Sequence, residues 1–293
     1  MMKPGFQSKI LTSILRIINF KKIVEKRASD AVSASGKESI PTGIQRSFQI
    51  RRATVGTTNT VSFESKKGAT KNHIIFLHGG AYIFEATRHH RRLAKNIVKK
   101  SFCRLTLVDY PLAPEHHYKQ TISAFNSTYE NLTRLYPEDH FILMGDSAGG
   151  GLAMAFTQKL IKDKHPKPPV KLVLLSPWLD LSLSNPNIKN QENRDHILSI
   201  TMLKNAALKY SNGDNKNQYL LSPINGDLKN LPETIVFYGT EELFYPDCKK
   251  LKSMTDSCEN KMIFKEYQHM QHDWAIFPIP ESKQVISDIC KFI

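Results

Sequence analysis

Phe141-Ile142-Leu143-Met144-Gly145-Asp146-Ser147-Ala148-Gly149-Gly150 joins a compact apolar run to a glycine-rich turn, and the helical stretch Ala148–Lys162 follows it directly. Four large apolar residues in a row suit a strand covered on both faces. Residues 145–149 fit G-x-S-x-G, and a strand entering with a helix leaving is the setting of a nucleophile elbow. The turn is tight, so small residues must flank the serine, and Gly145, Gly149 and Gly150 supply them. The new helix aims its first N–H groups at the place where negative charge would develop on a substrate. Ser147 is therefore the candidate nucleophile.

Outward from this point the same rhythm repeats. Short apolar runs at Ile74–Leu77, Leu105–Asp109, Leu172–Leu175, Ile235–Tyr238 and Met262–Tyr267 alternate with helical stretches at Arg88–Lys100, Thr121–Leu135, Tyr245–Ser257 and Glu281–Phe292. Two earlier strands, Phe48–Val55 and Val61–Lys66, flank a turn containing Gly56 and Asn59. Antiparallel strands leading into a βαβ series predict an α/β fold with a mostly parallel central sheet and helices on both faces. One stretch, 184–230, breaks the rhythm around a helical segment near Ile200–Tyr210 and reads as an insertion over one end of the sheet. Ser29–Ser39 is linker-like.

A serine hydroxyl needs a base to take its proton and an acid to hold that base. His272 follows the last strand, where a loop can reach back over the sheet's carboxyl edge; His269 is the nearby competitor. The acid belongs after the penultimate strand, where Glu241, Glu242 and Asp247 all stand. Glu242 is the first choice, and spacing leaves the other two open. The oxyanion of a tetrahedral intermediate needs N–H donors, one from Ala148 and others from a glycine-rich loop after an earlier strand. His78-Gly79-Gly80-Ala81-Tyr82 lies directly after Ile74–Leu77.

At these residues the sequence resembles the hormone-sensitive-lipase-like branch of the α/β-hydrolases, the fold-3 carboxylesterases. HGGAY at 78–82, DYPLAPEH at 109–116, GDSAGG at 145–150, SPWLDL at 176–181, GTEELFYPD at 239–247 and HMQHDW at 269–274 occur in the family's order. The resemblance implies an α/β-hydrolase fold with Ser147 as nucleophile, His272 as base and Glu242 as acid. It implies an oxyanion hole from the N–H groups of Gly80, Ala81 and Ala148, with Gly79 shaping the loop and His78 bracing it. It also implies one domain over residues 1–293, with a helical cap from 1–45 and 184–230. Three departures stand out. HGGA replaces the usual HGGG, Glu replaces the commoner Asp as acid, and Tyr118-Lys119-Gln120 replaces a more apolar stretch. The expected activity is a cofactor-free, metal-free carboxylesterase on short- to medium-chain esters. An arylformamidase or other amidase on the same fold is the alternative. A non-catalytic binding protein is a further one, against which the retained His272 argues.

Composition bounds the partners. The 293 residues carry a formal charge of +14, and residues 1–60 hold +8 of it. Ile10, Leu11, Ile14, Leu15, Ile17 and Ile18 recur near helical period among Lys9, Arg16, Lys21 and Lys22, an amphipathic basic helix. The expectation is that this helix packs its apolar face on the rest of the protein, with adsorption to a membrane surface as the alternative. A signal peptide is not the expectation, because Arg16 interrupts the apolar stretch, the basic segment 21–27 follows it and no convincing small-residue cleavage site stands after it. Nothing beyond charge suggests nucleic acid. Cys103, Cys248, Cys258 and Cys290 form no CxxC pair and read as thiols in a reducing compartment, so the expected location is the cytoplasm. Monomer and homodimer both remain open.

Overall fold

Strands that are apolar on both faces bury themselves only when helices cover each side, and the computed structural model, which describes residues 5–29, 47–256 and 262–293, is built that way. Two helices, α1 (Phe6–Ile17) and α2 (Phe20–Ser29), come first. The hairpin β1 (Phe48–Val55) and β2 (Thr58–Ser65) precedes β3 (Asn72–Leu77), α3 (Arg88–Ser101) and β4 (Arg104–Asp109). Then follow α4 (Tyr118–Leu135), β5 (His140–Asp146), α5 (Ser147–Lys162) and β6 (Lys171–Leu175). The chain closes with α6 (Ile200–Ser211), β7 (Glu233–Gly239), α7 (Tyr245–Thr255), β8 (Met262–Tyr267) and α8 (Pro280–Phe292).

The strands lie in the order β1-β2-β4-β3-β5-β6-β7-β8. β1 and β2 pair antiparallel, β2 pairs antiparallel with β4, and every pairing from β4 to β8 is parallel. The winding direction reverses between the neighbours β3 and β5, since β3 is followed outward by β4 and β5 by β6. Ligands of open α/β sheets bind outside the carboxyl ends of the strands at such a switch point. The loops leaving β3 and β5 are the two that carry His78–Tyr82 and Asp146–Ser147.

Alternation along the central strands sorts the core into two layers. Ile75, Leu77, Leu143 and Leu174 face α4 and α5, where Phe125 and Phe156 pack with ring centroids 4.4 Å apart. Ile74, Phe76, Met144 and Val173 face α3 and α8, meeting Leu93, Ile97, Val285 and Ile289.

Several boundaries differ from the sequence expectation. β2 begins at Thr58, so the hairpin closes over Gly56-Thr57 alone and Asn59 lies within the strand. Gly56 takes φ +58°, which a two-residue hairpin turn demands. α4 starts three residues early, at Tyr118, where Gln120 Oε1 accepts the N–H of His117 at 3.0 Å and closes the first turn. The single N-terminal helix is two helices, broken at Asn19 with φ +49°. The linker-like residues beyond Ser29, the part of the expected cap at 1–4 and 30–45, and Cys258 lie outside the described residues. Among the described residues no helix is long and apolar enough to cross a membrane.

Candidate active site

β5 ends at Asp146 and α5 begins at Ser147, so the serine occupies the turn itself, with φ +49°. Left-handed backbone at a non-glycine residue is strained, of order 1–3 kcal/mol, and is held only where the surroundings impose it. Those surroundings are backbone packed on backbone. A Cβ on Gly149 would run into the carbonyl oxygens of Leu77 and His78, and one on Gly145 into the Gly149 carbonyl. The glycines that sequence reasoning required are thus required by close approach of the β3 loop and the helix.

His272, in the loop after β8, reaches this turn. Its Nε2 lies 2.9 Å from Ser147 Oγ and its Nδ1 2.9 Å from Glu242 Oε2. Glu242 is fully buried, and its other oxygen accepts the N–H of Gly239 at 2.8 Å, which fixes the carboxylate at the end of β7. Phe244 abuts the imidazole edge to face, centroids 5.1 Å apart. The three side chains form one line of hydrogen bonds, and all are buried. The two competing carboxylates point elsewhere. Glu241 accepts from Arg194 Nη2 and Nε, at 2.6 and 2.8 Å, and faces His269 at 3.4 Å. Asp247 accepts from Asn185 at 2.9 Å, and burial pushes its carboxyl up to about 6. His269 is an exposed residue away from the serine.

A second carboxylate also meets the ring. Asp273 Oδ2 lies 3.2 Å from His272 Nε2. Burial by itself would hold the imidazole neutral, but Asp273 and Glu242 together outweigh it, so the His272 pKa stands well above the ordinary histidine value. Burial pushes the Asp273 carboxyl up to about 7 against the pull of the imidazole. Burial lifts Glu242 too, against the same pull; of these shifts the geometry best supports the rise on the ring, which two carboxylates face.

The loop after β3 lies against the turn that carries Ser147. A Cβ on Gly79 would overlap the Asp146 carboxylate, and Gly80, at φ +123°, would overlap the Phe84 carbonyl if it carried one. Ala81 and Tyr82 follow at φ +53° and +62°, both buried. Gly80 accepts the N–H groups of Ile83 and Phe84 at 3.0 and 2.9 Å, which closes the loop into one turn. The N–H of Ala148 belongs to the first turn of α5, where no intrahelical acceptor exists. His78 stacks on Tyr110 (4.5 Å, 11°), and the Tyr110 hydroxyl donates to the His78 carbonyl at 2.6 Å. Complete burial lowers His78 to about 4, leaving it neutral and bracing the loop through its contact with the Gly79 carbonyl at 2.7 Å.

Sequence reasoning missed His90 and Asp146. Thr87 donates its N–H to His90 Nδ1 at 2.8 Å, so the ring proton sits on Nε2 and is donated to Asp146 Oδ2 at 3.0 Å. That bond ties α3 to the residue before Ser147. Asp146 within GDSAGG was the available signal, since an acid before the serine in a dry turn needs a partner. Asp195 was missed as well. Its buried carboxylate accepts the N–H groups of Ile197, Leu198 and Leu243, each at 2.8–2.9 Å, joining the 184–230 segment to the loop that carries Glu242. Gln271 adds a second stitch, accepting from His196 and donating to the Arg194 carbonyl. No group of three or more His, Cys, Asp or Glu suited to a metal ion occurs among the described residues.

Comparison with known proteins bears on the family and the fold. The family model described as the alpha/beta hydrolase fold matches residues 74–276. An esterase of Acinetobacter venetianus is 34% identical over 235 residues, 78% of this chain and 77% of that one. An acetyl-hydrolase of Streptomyces hygroscopicus is 28% identical over 216 residues, 73% of this chain and 72% of that one. The crystal structure of a hormone-sensitive lipase from a metagenome library superposes with a TM-score of 0.79 at 25% identity, over 95% of this chain and 96% of that one.

Proposed function

The chain belongs to the α/β-hydrolase fold family, in its hormone-sensitive-lipase-like branch, and we propose that it is a serine carboxylesterase using Ser147, His272 and Glu242. The observation that carries the reading is the unbroken line from Glu242 through His272 to Ser147, with both bonds at 2.9 Å. Ser147 Oγ attacks the ester carbonyl while His272 Nε2 takes its proton. Glu242 keeps the ring proton on Nδ1 and stabilises the imidazolium that forms. The N–H groups of Gly80, Ala81 and Ala148 hold the oxyanion. The imidazolium then protonates the departing alcohol, leaving an acyl-Ser147. Water activated by the same histidine releases the acid. No cofactor enters these steps.

Residues 184–230, together with α1 and α2, act as a cap over the site. Supporting this, Tyr210 of α6 stacks on Tyr82 of the oxyanion loop, centroids 3.8 Å apart, and Lys21 of α2 bonds Glu192 at 2.9 Å. The free thiols at Cys103, Cys248 and Cys290 support the cytoplasm as the compartment.

The test is kcat/KM for p-nitrophenyl esters from C2 to C16, and for a matched anilide, in wild type and Ser147→Ala. The reading expects ester turnover peaking at C2–C8 and a loss of about 10⁴-fold or more in the variant. Equal rates for wild type and variant, or preference for the anilide, would overturn it.

A further inference from the structure

The apolar face of α1 points away from the protein. Phe6, Ile10, Ile14 and Ile17 recur at helical spacing on one side and are 79, 42, 48 and 81% exposed. Leu11 and Leu15, on the opposite side, are the ones that pack against the core. The expectation that this helix packs its apolar face on the protein is met only in part: the apolar residues cover about half the helix circumference, and the core takes only the Leu11 and Leu15 side of it. The orientation is fixed. Buried Glu281 of α8 accepts the N–H of Gly5 at 2.6 Å and the hydroxyl of Ser8, so α1 is clamped with its stripe outward. Ile18 and, on α2, Ile23 extend the exposed apolar surface.

The rim of this surface is basic. Lys9 and Arg16 stand beside the stripe on α1, and Lys22, Lys26 and Arg27 are exposed on α2. Residues 5–29 hold six basic side chains and one acid, Glu25. We propose that the outer face of α1 and α2 is a docking surface for an anionic lipid bilayer, lying in the interface with Phe6, Ile10, Ile14 and Ile17 inserted. Charge selects this occupant over a second copy of the chain. Two copies meeting through this face would bring like-charged rims together, whereas an anionic leaflet neutralises both. Apolar insertion and rim charge reinforce one another in an interfacial helix, because the same residues that enter the acyl boundary carry the cations to headgroup level. Lys21 anchors α2 to Glu192 and the Asp195 carbonyl, which fixes the surface on the fold. The binding proposal does not depend on the catalytic reading.

The experiment is cosedimentation of the full chain with vesicles of phosphatidylglycerol and phosphatidylcholine (1:1) and with phosphatidylcholine alone. It is repeated for Phe6→Ser/Ile17→Ser and for Lys9→Glu/Arg16→Glu, with p-nitrophenyl acetate turnover and thermal unfolding as fold controls. Each basic residue at an anionic surface is worth about fivefold in affinity, and each inserted large apolar side chain about tenfold. Expected are stronger binding to the anionic vesicles, weakening in high salt, and a loss of about tenfold or more in each double variant, with turnover of the soluble ester unchanged. No binding of wild type to anionic vesicles, or binding that Phe6→Ser/Ile17→Ser leaves intact, would overturn the proposal. So would a wild-type dimer that this variant dissociates without any vesicle binding, which would assign the face to a second copy.

Discussion

Asp273 Oδ2 lies 3.2 Å from His272 Nε2, the same nitrogen that reaches Ser147 Oγ at 2.9 Å. The imidazole is thus flanked by a carboxylate at each nitrogen, Glu242 on one side and Asp273 on the other, with buried Asp195 acting at longer range. A protonated ring has two carboxylates to satisfy it, while the working base must be neutral.

The pH profile follows from that sign. Negative neighbours raise the pKa of an imidazole, so the acid limb of kcat/KM lies above the ordinary histidine value. Asp273→Asn removes one of those neighbours. The acid limb then moves toward lower pH, and the variant keeps more of its activity in mild acid than wild type does. A limb that stays in place would show that Asp273 does not bear on the base.

Glu242→Gln leaves a neutral partner on Nδ1 and no charge to stabilise the imidazolium. Turnover of p-nitrophenyl acetate should fall about 10³–10⁴-fold with the fold intact. Glu241→Gln, which weakens only outward contacts with Arg194 and His269, should change kcat by less than about threefold. Comparable losses in the two variants would reassign the acid.

Gly80→Ala tests the oxyanion loop. The backbone there is at φ +123°, and a Cβ would press on the Phe84 carbonyl, so the loop must shift and its N–H groups with it. Misplacing one donor lowers kcat by about 10²–10³-fold. Wild-type turnover in a folded Gly80→Ala protein would remove this loop from the oxyanion hole.

Gly149→Ala tests the elbow as architecture. The added methyl would collide with two carbonyls of the β3 loop, backbone against backbone, where no side chain can move aside. Overpacking of this kind costs about 1–3 kcal/mol or more, enough to lower the thermal midpoint by several degrees. An unchanged midpoint by calorimetry would mean that the two loops are not held in contact.

Much of this was readable beforehand, and for identifiable reasons. The strand and helix from Phe141 to Lys162 declare themselves because a buried parallel strand needs an unbroken apolar run and a sharp turn needs glycine. The choice among Glu241, Glu242 and Asp247 was not readable in the spacing, since across the turn that leads from β7 into the first turn of α7 the direction of each side chain depends on local dihedrals. His90 escaped notice because its contact is made across the fold, to Asp146 56 residues away, whereas Asp273 is the next residue after His272 and only the local backbone turns its carboxylate onto the ring. The N-terminal helix misled for a different reason. Its apolar residues spread too far around the axis for periodicity to say which would face the core, and Glu281, which fixes the answer, is 273 residues from Ser8.

The most direct measurement is peptide mapping by mass spectrometry after reaction with a fluorophosphonate, which phosphonylates a serine only when a base activates it. One adduct should form, on Ser147, and it should form far more slowly in His272→Ala and Glu242→Gln. A folded wild-type protein that takes no label, or takes it on another serine, would contradict the claim that Glu242, His272 and Ser147 work as one unit.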